Sequence, residues 1–79
     1  MNILDVKESK IKAYLKFLYS HGATSKTKAV RIDDVERGVR MDDRMFDEIT
    51  RYVLAEGYAA RAVQREIYIT KAGVNQIKG

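Results

Sequence analysis

Two pairs of adjacent carboxylates, Asp33 with Asp34 and Asp42 with Asp43, are the residues whose type and spacing most suggest chemistry, since oxygen ligands so placed can hold Mg2+. The same residues suit helix starts, where a carboxylate accepts from free backbone N–H groups and meets the positive end of the helix dipole. Both pairs fall at predicted helix starts, so capping takes precedence and no metal or other cofactor is expected. His21 is the single histidine and follows Ser20, but there is no cysteine and no third group to complete a triad. No glycine-rich loop of phosphate-cradling spacing is present either. An enzyme is not expected.

What distinguishes the chain is where its charges lie. The net charge is +4 with a pI near 9.5, yet the window 33–48 holds seven acids against three bases, a local balance of −4 that leaves +8 elsewhere. The stretch "MDDRMFDEIT" at 41–50 is the acidic centre of a basic protein. A basic excess of this size favours a polyanionic partner, and its segregation also suits a partner of opposite pattern.

Composition sets the frame for those charges. The chain has 79 residues, enough for one small core and one domain, 1–79. Hydrophobic content of 46% and charged content of 33% are ordinary for a globular protein, and no apolar run approaches the roughly 20 residues that span a bilayer. The absence of cysteine fits a reducing compartment, and "MNILDVKESK" lacks the pattern of a secretory signal. A cytoplasmic protein starting at Met1, with no membrane partner, is the expectation.

Elements that must position the charges follow from periodicity and caps. Asp5 with Glu8 has the spacing of a capping box, predicting a first helix over 5–21 that stops at Gly22, with His21 favourably placed at the negative end of the dipole. Ile11, Tyr14, Leu15 and Leu18 share one face. Ile3, Val6, Ala13 and Phe17 widen it to about 200°, more than one core contact requires, which makes Val6, Ala13 and Phe17 candidates for a dimer interface. Val30 and Ile32 alternate with Arg31 as a short strand over 29–32. Asp33 and Glu36 repeat the capping spacing before a second helix over 33–38 ending at Gly38.

Asp42 or Asp43 then caps a third helix over 42–56, with Met45, Phe46, Ile49, Tyr52 and Val53 on its apolar side and Gly57 as its stop. Two helices joined by a short glycine-containing turn make a helix-turn-helix candidate. Next come two strands over 58–70, paired around Val63 to Arg65 with Ile67 and Ile69 inward, and Thr70 as cap of a last short helix over 71–77.

The segments "VLAEGY" and "IYITKAG" resemble the exit of the third helix and the close of the wing in small bacterial and archaeal winged helix-turn-helix DNA-binding domains. Val53 stands at the usual leucine, Gly57 at the helix stop, and Ile69, Thr70 and Gly73 at the wing's end. The resemblance implies an α+β fold, with a three-helix core, a two- or three-stranded antiparallel wing and a short C-terminal helix. It also implies double-stranded DNA as partner, with the third helix in the major groove, as in a transcription regulator.

On that geometry Arg44 and Arg51 are the candidate base readers, and Lys26, Lys28, Arg31, Arg61 and Arg65 the candidate phosphate contacts. Arg44, Asp47, Glu48 and Arg51 all fall on the outward side of the third helix, where carboxylates oppose a duplex. Pairing of Glu48 with Arg44 and of Asp47 with Arg51, each four residues apart, is ordinary surface stabilisation of the helix worth a few tenths of a kcal/mol. The competing expectation is a protein-binding module whose acidic second and third helices dock a basic partner and whose first helix builds a homodimer.

Overall fold

The computed structural model describes residues 3–78, with side chains described from residue 7 onward. Helix α1 (Ile3–Ser20) is the central element, with Tyr14, Leu15 and Leu18 fully buried on the face their spacing predicts. It ends in a Schellman motif. Gly22 takes φ +73°, Ala23 N–H donates to the Leu18 carbonyl at 2.9 Å, and Gly22 N–H donates to Tyr19 at 3.1 Å. Leu18 and Ala23, the positions at which this motif makes its apolar contact, are both buried in the core.

A 3-10 turn (Lys26–Lys28) leads into β1 (Val30–Arg31), helix α2 (Ile32–Val39) and helix α3 (Asp43–Ala55). The hairpin strands β2 (Ala59–Arg61) and β3 (Glu66–Ile69) follow, and helix α4 (Lys71–Lys78) closes the described chain. The architecture is α+β: four helices and a three-stranded antiparallel sheet in the order β1-β3-β2. Ala59, Ile67 and Ile69 bury one face of the sheet beneath the helices, as the inward positions of the hairpin predict. Among the described residues no helix is long and apolar enough to cross a membrane.

Caps settle which acids are structural. Asp42 is the N-cap of α3, its Oδ1 accepting from Met45 N–H at 2.8 Å, and Asp43 lies in the first turn. Thr70 caps α4 by accepting from Gly73 N–H at 3.2 Å, and its hydroxyl also donates to the Gly57 carbonyl. One side chain thus ties the start of α4 to the end of α3. There Gly57 takes φ +77°, and the donors Gly57 and Tyr58 bond Leu54 and Val53 in a second Schellman motif.

Two expected capping boxes are absent. Helix α1 begins at Ile3, which puts Asp5 inside the helix, and α2 begins at Ile32 with Arg31 at its N-cap and no capping side chain. Ile32 therefore leaves the predicted strand, and Asp33 and Asp34 become first-turn acids. Nor does Gly38 end α2, which runs to Val39 before Arg40 takes the left-handed conformation at φ 52°. Gly38 has a different role: a Cβ there would collide with the Phe17 ring. Helices α1 and α2 approach closely because that side chain is missing.

Helices α2, α3 and α4 all pack against α1, which accounts for part of its wide apolar face within the chain. Phe17 covers α2 through Gly38 and stacks with His21 at 4.0 Å, while Ala13 is exposed. Val6 lies outside the described side chains.

Candidate nucleic-acid interface

Helix α3 buries Phe46, Ile49, Thr50 and Val53. At 100° per residue the opposite face carries Arg44, Asp47, Glu48 and Arg51, and all four are exposed as predicted. Arg44 and Arg51 stand seven residues apart, about 10 Å along the axis on nearly the same line. The roll of the helix is fixed from behind. Thr50 Oγ1 donates to the Tyr14 hydroxyl at 3.0 Å, and the Tyr14 ring stacks on Phe46 with centroids 5.4 Å apart.

Burial pushes the Tyr14 hydroxyl up to about 12, with the Thr50 bond and the nearby Arg61 charge acting in the opposite direction. It therefore stays protonated as a neutral strut between α1 and α3.

Strand register separates the other basic candidates. Arg61 pairs with Ile67, whose side chain points to the core, whereas Arg31 pairs with Glu66 one position along. Directly opposite residues share a face, so Arg31 and Arg61 lie on opposite faces of the sheet near its hairpin end. Arg65 sits in the hairpin turn, its carbonyl accepting from Ile32 N–H at 2.8 Å and its guanidinium bonding Asp33 at 3.1 Å. Both side chains of that pair are exposed, so it contributes at most about 1 kcal/mol and can exchange Asp33 for another anion. Lys26 and Lys28 stand beyond the other end of β3, where Ile69 N–H donates to Ala23. Four strand residues, about 13 Å, separate them from the hairpin turn.

The carboxylates fall into two groups. Asp42 caps α3, Asp34 pairs with Arg37 at 3.7 Å, Asp33 with Arg65, and Glu48 with Lys7 of α1 at 3.7 Å. The expected Glu48–Arg44 and Asp47–Arg51 pairs are not among the ion pairs of the described residues. Glu48 turns toward α1, leaving Arg44 and Arg51 free to face outward. The second group is Glu36, Asp43 and Asp47, where α2 meets α3. A shared hydrogen bond with Asp43 raises the Glu36 carboxyl, helped by partial desolvation and repulsion from Asp43, Asp47 and Asp33.

His21 and Ser20 form a helix end. Ser20 Oγ donates to the Phe17 carbonyl at 3.1 Å, and His21 Nδ1 lies 2.9 Å from the same oxygen, which only a protonated Nδ1 can satisfy. The adjacent Asp pairs sit at helix starts, and among the described residues no three His, Asp or Glu side chains gather as metal ligands would.

Helical spacing predicts Tyr52 on the apolar side of α3, but it is 43% exposed and meets Tyr58 edge-on, with centroids 6.2 Å apart. The two rings border a groove between α1, α3 and α4 that also contains Lys12 and Arg51. Its only trace in the sequence is a tyrosine at the margin of an apolar helical face. No family model, curated protein or solved structure matches the chain.

Proposed function

We propose that the chain is a winged-helix domain that binds duplex DNA, with α3 in the major groove and the β2–β3 hairpin as the wing, in the role of a cytoplasmic transcription regulator. The observation that carries this reading is the placement of three exposed arginines: Arg44 and Arg51 in line on α3, and Arg61 on the helix-facing side of the hairpin that follows it. The element order and the β1-β3-β2 sheet support it, since a helix-turn-helix followed by an antiparallel hairpin is the arrangement of that fold. Arg44 and Arg51 read base edges as bidentate donors, while Arg31, Arg61 and Arg65 bind phosphate. Lys26 and Lys28, at the far end of the sheet, are a secondary grip.

Glu36, Asp43 and Asp47 lie beside the proposed reading face and lower nonspecific affinity. Replacing Arg44, Arg51 and Arg61 together with alanine should weaken duplex binding at least tenfold at about 50 mM salt, and unchanged affinity would contradict the reading.

The acidic cluster favours a second reading, a module that docks a basic protein partner on the α2/α3 surface. The two separate cleanly when Glu36→Gln, Asp43→Asn and Asp47→Asn are combined. A DNA reader then binds duplex more tightly. A protein-docking module instead loses affinity for a polylysine probe and has no duplex affinity to gain. A homodimer through α1 has less support, because Phe17 is occupied within the chain.

A further inference from the structure

The groove between α1, α3 and α4 has a volume of about 740 Å³, within the usual range of small-molecule sites. Its floor is apolar and aromatic: Ile11, the buried Ile49, and the edge-on pair Tyr52 and Tyr58. The half-exposed Tyr52 ring offers a face on which a planar guest can stack. Three cations and two carboxylates border the groove, and Lys7 is bonded to Glu48. Lys12 and Arg51 make no ion pair among the described residues.

We infer that this groove is a binding site for a planar aromatic monocarboxylate. One carboxylate matches the two cations without an ion pair, Lys12 and Arg51, whereas a dianion would meet repulsion from Glu8, Glu48 and Glu56, the last beside the Tyr52 hydroxyl. The Arg51 guanidinium is a planar fork that fits a carboxylate with two parallel hydrogen bonds, and Lys12 adds a point charge from the facing helix. The apolar floor takes the ring. A neutral aromatic leaves both cations without a partner, and a small inorganic anion leaves the tyrosines and isoleucines uncovered. The groove does not rest on the DNA-binding reading, but Arg51 serves both, so a bound carboxylate and a duplex would compete for its guanidinium.

The probe is 2-naphthoate, titrated into the full chain and followed by 1H–15N correlation spectra, with neutral 2-naphthalenemethanol as comparison. Saturable shifts should centre on the amides of Ile11, Ile49, Tyr52 and Tyr58, and the neutral analogue should bind more weakly. Lys12→Ala and Arg51→Ala, both exposed and remote from the core, should each weaken naphthoate by about fivefold. Glu8→Gln should strengthen it, a gain that loss of folding cannot mimic.

Equal binding of the acid and the alcohol would overturn the inference. So would indifference to Lys12 and Arg51, or shifts scattered away from the groove. Concentration-dependent shifts of the same amides without any ligand would identify a second copy of the chain as the occupant instead.

Discussion

Replacing Tyr14 with phenylalanine removes a single oxygen from the middle of the protein and tests the strut that orients α3. The Tyr14 side chain is fully buried, and its hydroxyl bonds Thr50 at 3.0 Å across the α1–α3 contact. At pH 7 the variant leaves the Thr50 hydroxyl to turn back on its own helix, at a cost of about 1 kcal/mol. That corresponds to a Tm lower by roughly 4–8 °C for a domain of this size. Burial disfavours the tyrosinate, so the native state holds the Tyr14 proton more tightly than the unfolded chain does. The raised value of about 12 against an ordinary 10 means that this stability is complete below pH 10 and drains away as pH rises toward 12.

At pH 11 the wild-type protein should have lost about 1 kcal/mol through Tyr14 alone, enough to cancel the advantage it holds at neutral pH. Urea unfolding followed by far-UV circular dichroism at pH 7 and pH 11 measures both ends, and the comparison between the two proteins removes the other tyrosines and the lysines. The curves should converge near pH 11. Parallel loss of stability in the two proteins would refute the buried, neutral strut.

Gly73→Ala should destabilise by about 1–3 kcal/mol, because a Cβ there collides with the Tyr58 carbonyl and Ile69, and chemical denaturation measures it. Gly38→Ala should do the same through Phe17, but here a second substitution, Phe17→Ala, should recover part of the loss, a non-additivity absent if the ring does not cover Gly38. Asp42→Ala should cost about 1 kcal/mol as the α3 cap is lost, while Asp42→Asn stays near wild type in the same assay. Glu36→Gln should raise stability at pH 7 and leave it unchanged at pH 3. The raised carboxyl contributes stability while protonated and loses it as pH climbs through its titration, so thermal melts at the two pH values reveal the sign.

Several features of this fold were legible because one residue type satisfies one backbone need. Gly22 and Gly57 end their helices at positive φ, Asp42 and Thr70 cap theirs, and Ile67 and Ile69 alternate inward. The errors come from residues that meet two needs equally well. An acid three residues before a glutamate marks an N-cap or merely a first turn, and Asp5 and Asp33 proved to lie inside their helices. Glycine permits a stop or a close approach, and Gly38 serves the second beneath Phe17.

The same ambiguity governs the candidate site. Helical spacing placed Arg44 and Arg51 outward, but Glu48 could pair along its own helix or across to α1, and only tertiary packing selects Lys7. Strand alternation likewise could not reveal that Arg31 and Arg61 face opposite ways until the register with β3 fixed both. The groove beside Tyr52 needs three helices brought together, and no local pattern encodes that.

Fluorescence anisotropy of a labelled mixed-sequence duplex, titrated at a series of salt concentrations, tests most directly the proposed binding of a duplex by the acidic-fronted α3 and its neighbouring hairpin. Phosphate contacts from Arg31, Arg61 and Arg65 predict that the logarithm of the binding constant falls linearly with the logarithm of salt, with a slope of about −3 that becomes shallower by about one for Arg61→Ala. Absence of binding at the lowest salt, or a slope unchanged when all three arginines are replaced, would contradict it.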